Sequence, residues 1–266
     1  MKSLVYFFCS ALLLAACASQ RVFADDLVAD YFSALDTFQS QFIQTVIDSD
    51  GEEVSSGALF SAAERYKLMP QVDRWVTSTT LARLAEHRDA IEAGRARFSI
   101  NLSGQSLSDD EILEFIDGEM RDNEVPATAI CFEVTESAAV SNLAKAQALI
   151  GELRKRGCSI SLDDFGAGLS SFAYLKNFDV DVLKIDGSFI RDITDNRISE
   201  SMVAAITQVA KVMELETVAE YVENEETRQL IARLGVDYAQ GHRVGRPLPL
   251  AETLATFSES ARSTTG

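Results

Sequence analysis

The sequence predicts an α/β fold on a parallel sheet, and three observations predict it. Six short apolar runs read as strands, helical stretches separate them, and every run ends in a polar residue on its C-terminal side. The runs are FSINLS (98–103), AICFEVTE (129–136), SISLDDFG (159–166), VDVLKID (180–186), LETVAEYVE (215–223) and VDYAQGH (236–242). Between them, 109–123, 141–156, 170–177, 197–213 and 224–234 have helical composition and length. Upstream, 61–94 also reads as helices, with Leu81, Leu84 and Ala85 on one face.

Such alternation fits either a doubly wound sheet or a closed (β/α) barrel. The polar ends separate the two. They are Asn101, Glu133, Asp163 with Asp164, Lys184 with Asp186, Glu220, and Gln240. A barrel draws its chemistry from the C-terminal ends of many strands, whereas an open sheet gathers ligands at one switch point. A single Asp or Asn after a strand is usually the N-cap of the next helix. Lys and Gln do not cap helices, so a shared rim explains the set better, and the barrel is the expected fold.

Composition narrows the function. The 266 residues are 47% apolar, enough for a substantial core, and carry 24 basic against 41 acidic side chains for a net charge of −17. A surface that grips a nucleic acid polymer needs a basic face, so that class is excluded. A small phosphate ester held through cations is not. Carboxylates with an amide oxygen, and neither His nor Cys among them, suit Mg²⁺ or Mn²⁺. The consecutive Asp163 and Asp164 suit a two-metal site, in which paired ions clamp the attacking and leaving oxygens of a phosphodiester. Phe165-Gly166-Ala167-Gly168 follows as a flexible loop suited to gating the site. Cys131 and Cys158 read as reduced core fillers.

The front of the chain has a different texture. Met1 and Lys2 lead into LVYFFCSALLLAAC, the pattern of a secretory signal over 1–24. It ends either at a lipobox-like Leu14-Ala15-Ala16-Cys17, with a lipid anchor on Cys17, or before Asp25. Residues 25–59 hold eight acidic side chains and no Lys or Arg. They read as a short helix, a strand around Phe38–Val46, an Asp50-Gly51 turn and a return strand from Val54 to Phe60. The helix, the FIQTV strand and the turn resemble the start of the outer-membrane lipoprotein carrier (LolA-type) family. The same hairpin also serves as an opening hairpin for the domain that follows.

From about Phe60 to Leu250 the motifs SAAERYKLMPQVDRWV, SINLS, FEVTE, SLDDFGAGLSSFAYLK, LKIDGSFI, TVAEYVE and YAQGHRVGRPLP are similar to those of the EAL family. These are phosphodiesterases that open cyclic di-GMP to the linear dinucleotide, on a TIM-like (β/α)8-type barrel whose first strand is antiparallel. The resemblance implies that Asn101, Glu133, Asp163, Asp164 and Glu220 ligate two Mg²⁺ or Mn²⁺ ions. It implies that Lys184 and Gln240 flank the attacking water and that Glu220 acts as general base. Asp186 then belongs to the substrate pocket, and Glu136 braces the loop after Asp164. Cyclic di-GMP is the implied ligand and a homodimer the implied assembly.

One motif departs from the pattern. No Glu-Ala-Leu occurs in the chain, and aligning the opening hairpins puts Gly57-Ala58-Leu59 at the second strand, where that motif should stand. The expected barrel is therefore incomplete at its first two strands, and hydrolysis impaired. The alternatives are a non-catalytic cyclic di-GMP-binding or protein-interaction module, and a carrier fragment joined by gene fusion near 58–62 to an EAL barrel. The expected organisation is signal (1–24), carrier-like fragment (25–59), barrel (60–250), and C-terminal helix and tail (251–266). A genuine signal places the protein in the periplasm or on a lipid anchor; a fusion leaves the barrel in the cytoplasm.

Overall fold

The computed structural model describes residues 6–8, 45–47, 53–88, 91, 97–167 and 172–245. In chain order the elements are β1 (Tyr6–Phe8), β2 (Thr45–Ile47), β3 (Glu53–Ser55), α1 (Ser56–Arg65), α2 (Met69–Ala85), β4 (Arg97–Asn101), α3 (Ile112–Asp122) and β5 (Ile130–Thr135). Then come α4 (Glu136–Ser141), α5 (Leu143–Lys155), β6 (Ser159–Phe165), α6 (Phe172–Leu175), β7 (Val182–Ile185), α7 (Gly187–Ile190), α8 (Arg197–Val212), β8 (Glu216–Ala219), α9 (Glu225–Leu234) and β9 (Tyr238–Ala239). Residues 9–44 and 246–266 lie outside the description, and with them Cys17, the helix expected after Asp25 and the C-terminal tail.

Seven strands form one sheet in the order β1-β4-β5-β6-β7-β8-β9, and every pairing in it is parallel. All six expected strands are present. Arg97 shows that the sheet curls. Its Nη2 lies 3.2 Å from Glu216 Oε2, yet β5, β6 and β7 separate β4 from β8. Four interstrand steps of about 4.8 Å would hold the two ends roughly 19 Å apart in a flat sheet. Tyr238 donates its hydroxyl to Glu216 Oε1 at 3.1 Å, which ties β9 into the same seam. The molecule is a curled, barrel-like parallel sheet, as the strand-helix alternation predicts.

Register sorts the side chains. Ser99 pairs with Cys131, Asn101 with Glu133, Glu133 with Ser161, Thr135 with Asp163, and Lys184 with Val218. Neighbours in a parallel row point the same way, and alternation sends the residues between them to the opposite face. The outer face is therefore Phe98, Ile100, Ile130, Phe132, Ile160, Leu162, Leu183 and Ile185, all buried. Over it pack Ile112 and Ile116 of α3, Leu149, Ile150 and Leu153 of α5, and Val203, Ile206 and Ala210 of α8. Fully burying each larger aliphatic is worth about 1.5–3 kcal/mol, and this layer holds the strands in place. The inner face carries the polar residues.

Several post-strand polar residues are caps as well. Thr135 accepts from Ala138 N at the start of α4, Asp186 from Ser188 N at α7, and Asn224 from Thr227 N at α9. Both described cysteines, Cys131 and Cys158, are free and buried, as expected of core fillers.

The hairpin needs correction. β2 and β3 pair antiparallel, Val46 against Val54, but the return strand stops at Ser55 rather than running to Phe60. Gly57-Ala58-Leu59 lies on α1, not on a strand. The run SGALFSAAER is rich in strong helix formers, and local propensity wins where no ladder partner continues. The strand that borders β4 instead is β1, with Tyr6 opposite Arg97 and Phe8 opposite Ser99.

Candidate active site

The inner face culminates in an acidic cluster. Asp163 and Asp164 are consecutive, and on a regular strand their side chains would point to opposite faces. Two irregularities bring them together. The β6–β7 register shifts between Leu162 and Phe165, and Asp164 has a positive φ of 54°. Carboxylate oxygens of Asp163, Asp164 and Glu220 consequently all lie within 4.8 Å of one another.

Lys184 stands at the centre and is 2% exposed. Its Nζ lies 2.8 Å from Asp163 Oδ1, 2.8 Å from Glu220 Oε1 and 3.1 Å from Glu133 Oε2. Burial alone would drive the ammonium towards neutrality. Glu133, Asp163 and Glu220 overcome that and hold it well above the usual lysine range. The carboxyls feel the converse. Burial, then Asp163, raises Glu133 against the pull of Lys184. Burial first, with Asp163 and Glu133, pushes Glu220 up to about 7. Asp164 is raised by burial and by Asp163 and Asp186.

Four carboxylates thus face one ammonium, an excess of negative charge that a buried site relieves by binding either protons or added cations. Two buried oxygens point to the same need, since Glu133 Oε1 and Gln240 Oε1 lack a hydrogen-bond partner among the described residues. Hard oxygen donors, an acidic excess and orphaned acceptors fit divalent ions of the Mg²⁺ or Mn²⁺ kind.

The remaining residues surround the cluster. Asn101 ends β4 in register with Glu133. Gln240 follows β9; its N donates to Ala219 O at 2.8 Å and its carbonyl accepts from Val222 N at 2.9 Å. Glu136, buried at the start of α4, accepts from Gly166 N through Oε2 at 3.2 Å, so it fastens the chain just past Asp164. Gly166 has φ 103°, and a Cβ there would lie 2.4 Å from Phe189 Cε2. Gly168, the last residue of the expected gating loop, lies outside the described residues. Asp186 accepts from Ser188 N at 2.8 Å through Oδ1, which gives it a cap's work in addition to its place at the rim.

Sequence reasoning missed Asp73. It is buried on α2, and its Oδ2 accepts from Ser103 N at 2.7 Å and from Ser106 Oγ at 2.6 Å, fixing the turn that follows Asn101. The available signal was a lone Asp inside the apolar face of a helix.

A family pattern described as "EAL domain" matches residues 41–247. The chain belongs to the EAL domain family. The match includes β2 and β3 as well as the parallel strands from β4 onward. This EAL domain is 41% identical over 203 residues to the cyclic di-GMP phosphodiesterase PdeF of Escherichia coli, covering 76% of the chain and 27% of that protein. It is 38% identical over 207 residues to the cyclic di-GMP phosphodiesterase PdeB of Shewanella oneidensis, covering 78% of the chain and 24% of that protein. The chain therefore spans about a quarter of the length of these relatives. Among solved structures, the PaMucR phosphodiesterase in its c-di-GMP complex superposes with a TM-score of 0.75 at 26% identity, over 86% of this chain and 99% of that one. The comparisons favour neither the non-catalytic module nor the carrier fragment as a reading of the whole.

Proposed function

We propose that this EAL domain binds cyclic di-GMP with divalent cations and hydrolyses one of its phosphodiester bonds to give the linear dinucleotide. The observation that carries the reading is the convergence of Asp163, Asp164 and Glu220 around Lys184 on the C-terminal rim of a curled parallel sheet. Relatives that are cyclic di-GMP phosphodiesterases support the choice of substrate.

In this reading Asn101, Glu133, Asp163, Asp164 and Glu220 hold Mg²⁺ or Mn²⁺, which when bound supplies Lewis acidity and a water of lowered pKa. Lys184 bridges Glu133, Asp163 and Glu220 through Nζ and favours the ionised forms of Glu133 and Glu220 against the effect of burial. Glu220, with a carboxyl raised to about 7, is suited to take the water's proton near neutrality. Gln240 orients that water through its buried Oε1, which has no partner among the described residues. The water oxygen bonds to phosphorus as its proton passes to Glu220, the bond to the 3′ oxygen breaks, and that oxygen takes a proton from solvent as it leaves. Asp186 lines the substrate's approach, and Glu136 fixes the backbone behind Asp164.

The chain offers no Glu-Ala-Leu glutamate, and Gly57-Ala58-Leu59 lies on α1. One oxygen donor short, the site is expected to hold its ions and water less well. Defects in the support of a metal site alone cost about 10–100-fold, and turnover here should fall at least that far below a complete site. The purified chain, incubated with Mn²⁺ and cyclic di-GMP, should yield linear dinucleotide slowly, and Asp163→Asn should abolish the product. Product formation that survives Asp163→Asn, or no binding of cyclic di-GMP at all, would overturn the proposal.

A further inference from the structure

A second feature stands on the same rim, beside the acidic cluster and outside it. Tyr221 immediately follows Glu220, and its backbone has a positive φ of 55°. A non-glycine residue held there carries strain of order 1–3 kcal/mol. Burial does not explain the strain, because Tyr221 is 49% exposed.

The ring is nonetheless held in place. It lies against Gly187, the first residue after Asp186, so closely that a Cβ at Gly187 would come within 2.1 Å of Tyr221 Cδ2 and 2.9 Å of Cγ and Cε2. Only glycine fits under the ring. Four residues on, the guanidinium of Arg191 sits 4.0 Å from the ring centroid, well within cation–π range. Arg191 is exposed and forms no ion pair among the described residues. The segments that follow β7 and β8 thus present a fixed aromatic ring and, from the end of α7, a cation stacked on it, on a protein whose net charge is −17.

We infer that Tyr221 and Arg191 form a stacking shelf for a purine base of the bound dinucleotide. A planar base extends the existing stack, and the guanidinium edge remains free to donate to acceptors on the base, as arginine does to N7 and O6 of guanine. The strain at Tyr221 is then maintained for ligand binding and not for folding. This inference rests on the cyclic di-GMP reading above and adds the residues that select a purine.

The test is calorimetric titration of the full chain with cyclic di-GMP in the presence of Ca²⁺, for wild type, Tyr221→Gly, Tyr221→Phe and Arg191→Ala. Tyr221→Gly relieves the positive φ, so its melting temperature should equal or exceed that of wild type. Its Kd should nevertheless rise roughly tenfold or more, the scale of one lost base–aromatic stack. Tyr221→Phe keeps the ring and should bind within about twofold of wild type; Arg191→Ala should weaken binding in the same direction as Tyr221→Gly. Unchanged affinity in both Tyr221→Gly and Arg191→Ala would overturn the shelf and leave the functional reading standing. No binding by wild type would overturn both.

Discussion

Lys184 shows how much of this site is decided by a single side chain. Among the described residues it is the one cation touching Glu133, Asp163 and Glu220, and it is almost wholly buried. Removing one partner of such a group leaves uncompensated buried charge. Lys184→Met should therefore destabilise the metal-free protein by about 3–5 kcal/mol at pH 8 in urea denaturation. The loss should shrink at pH 5, because Glu133 and Glu220 have raised pKa values and take up protons first. Glu220 carries its own pH signature. Its folded pKa of about 7 stands above the ordinary 4.5, so the folded state binds the proton more tightly than the unfolded chain. Its contribution to stability is complete below 4.5 and is lost as pH rises through 7. In the metal-free protein, Glu220→Gln should flatten the fall in stability between pH 5 and pH 8. Mn²⁺ affinity of the wild type should climb across the same interval, since a ligand must release its proton to bind; a flat profile would argue against Glu220 as ligand.

Among elements, β1 and the β6 corner make the most specific claims. β1 covers the edge of β4, and an uncovered parallel edge invites pairing with another chain. Deleting residues 1–24 should lower the urea midpoint and bring concentration-dependent association on size exclusion. The same residues read as an export signal, and a cleaved signal cannot remain in the sheet. N-terminal sequencing of the mature chain distinguishes the two fates: a start at Met1 keeps β1, and a start at Cys17 or Asp25 removes it. At the β6 corner, Glu136 accepts from Gly166 N. Glu136→Ala removes this hydrogen bond, at a cost of about 1–3 kcal/mol. Turnover should fall more than stability does, because the loosened backbone sits two residues from Asp164; a loss of stability with full activity would confine Glu136 to the fold.

At the scale of the whole molecule, closure depends on the apolar outer layer more than on the seam. Arg97 and Glu216 meet across the curled sheet with side chains 23% and 36% exposed. Pairs this accessible to water contribute about 0–1 kcal/mol. A double-mutant cycle with Arg97→Met and Glu216→Met should give a coupling energy within that range. Replacing Phe132 with Ala, in the fully buried layer, should cost about 3–5 kcal/mol. A seam worth more than the aromatic core would reverse this ranking.

By itself the sequence determined the parallel strand-helix series and the ends of its strands. Short apolar runs such as FSINLS and SISLDDFG have the length of buried strands, and the helices between them have matching amphipathic patterns. It also determined which residue types line the rim, because Lys and Gln at strand ends have no local work to do. It misread the stretch from Ser56 to Phe60, where strand and helix patterns are equally short and only the missing ladder partner decides. Tertiary structure decided the rest. Two consecutive aspartates share one face only through a register shift and a positive φ, which no pattern of residue types encodes. Lys184 finds three carboxylates, and Asp73 finds the turn after Asn101, through contacts between residues distant in the chain. Periodicity is a local property and survives in the sequence; convergence depends on how the sheet curls, and that is settled only when the strands pack.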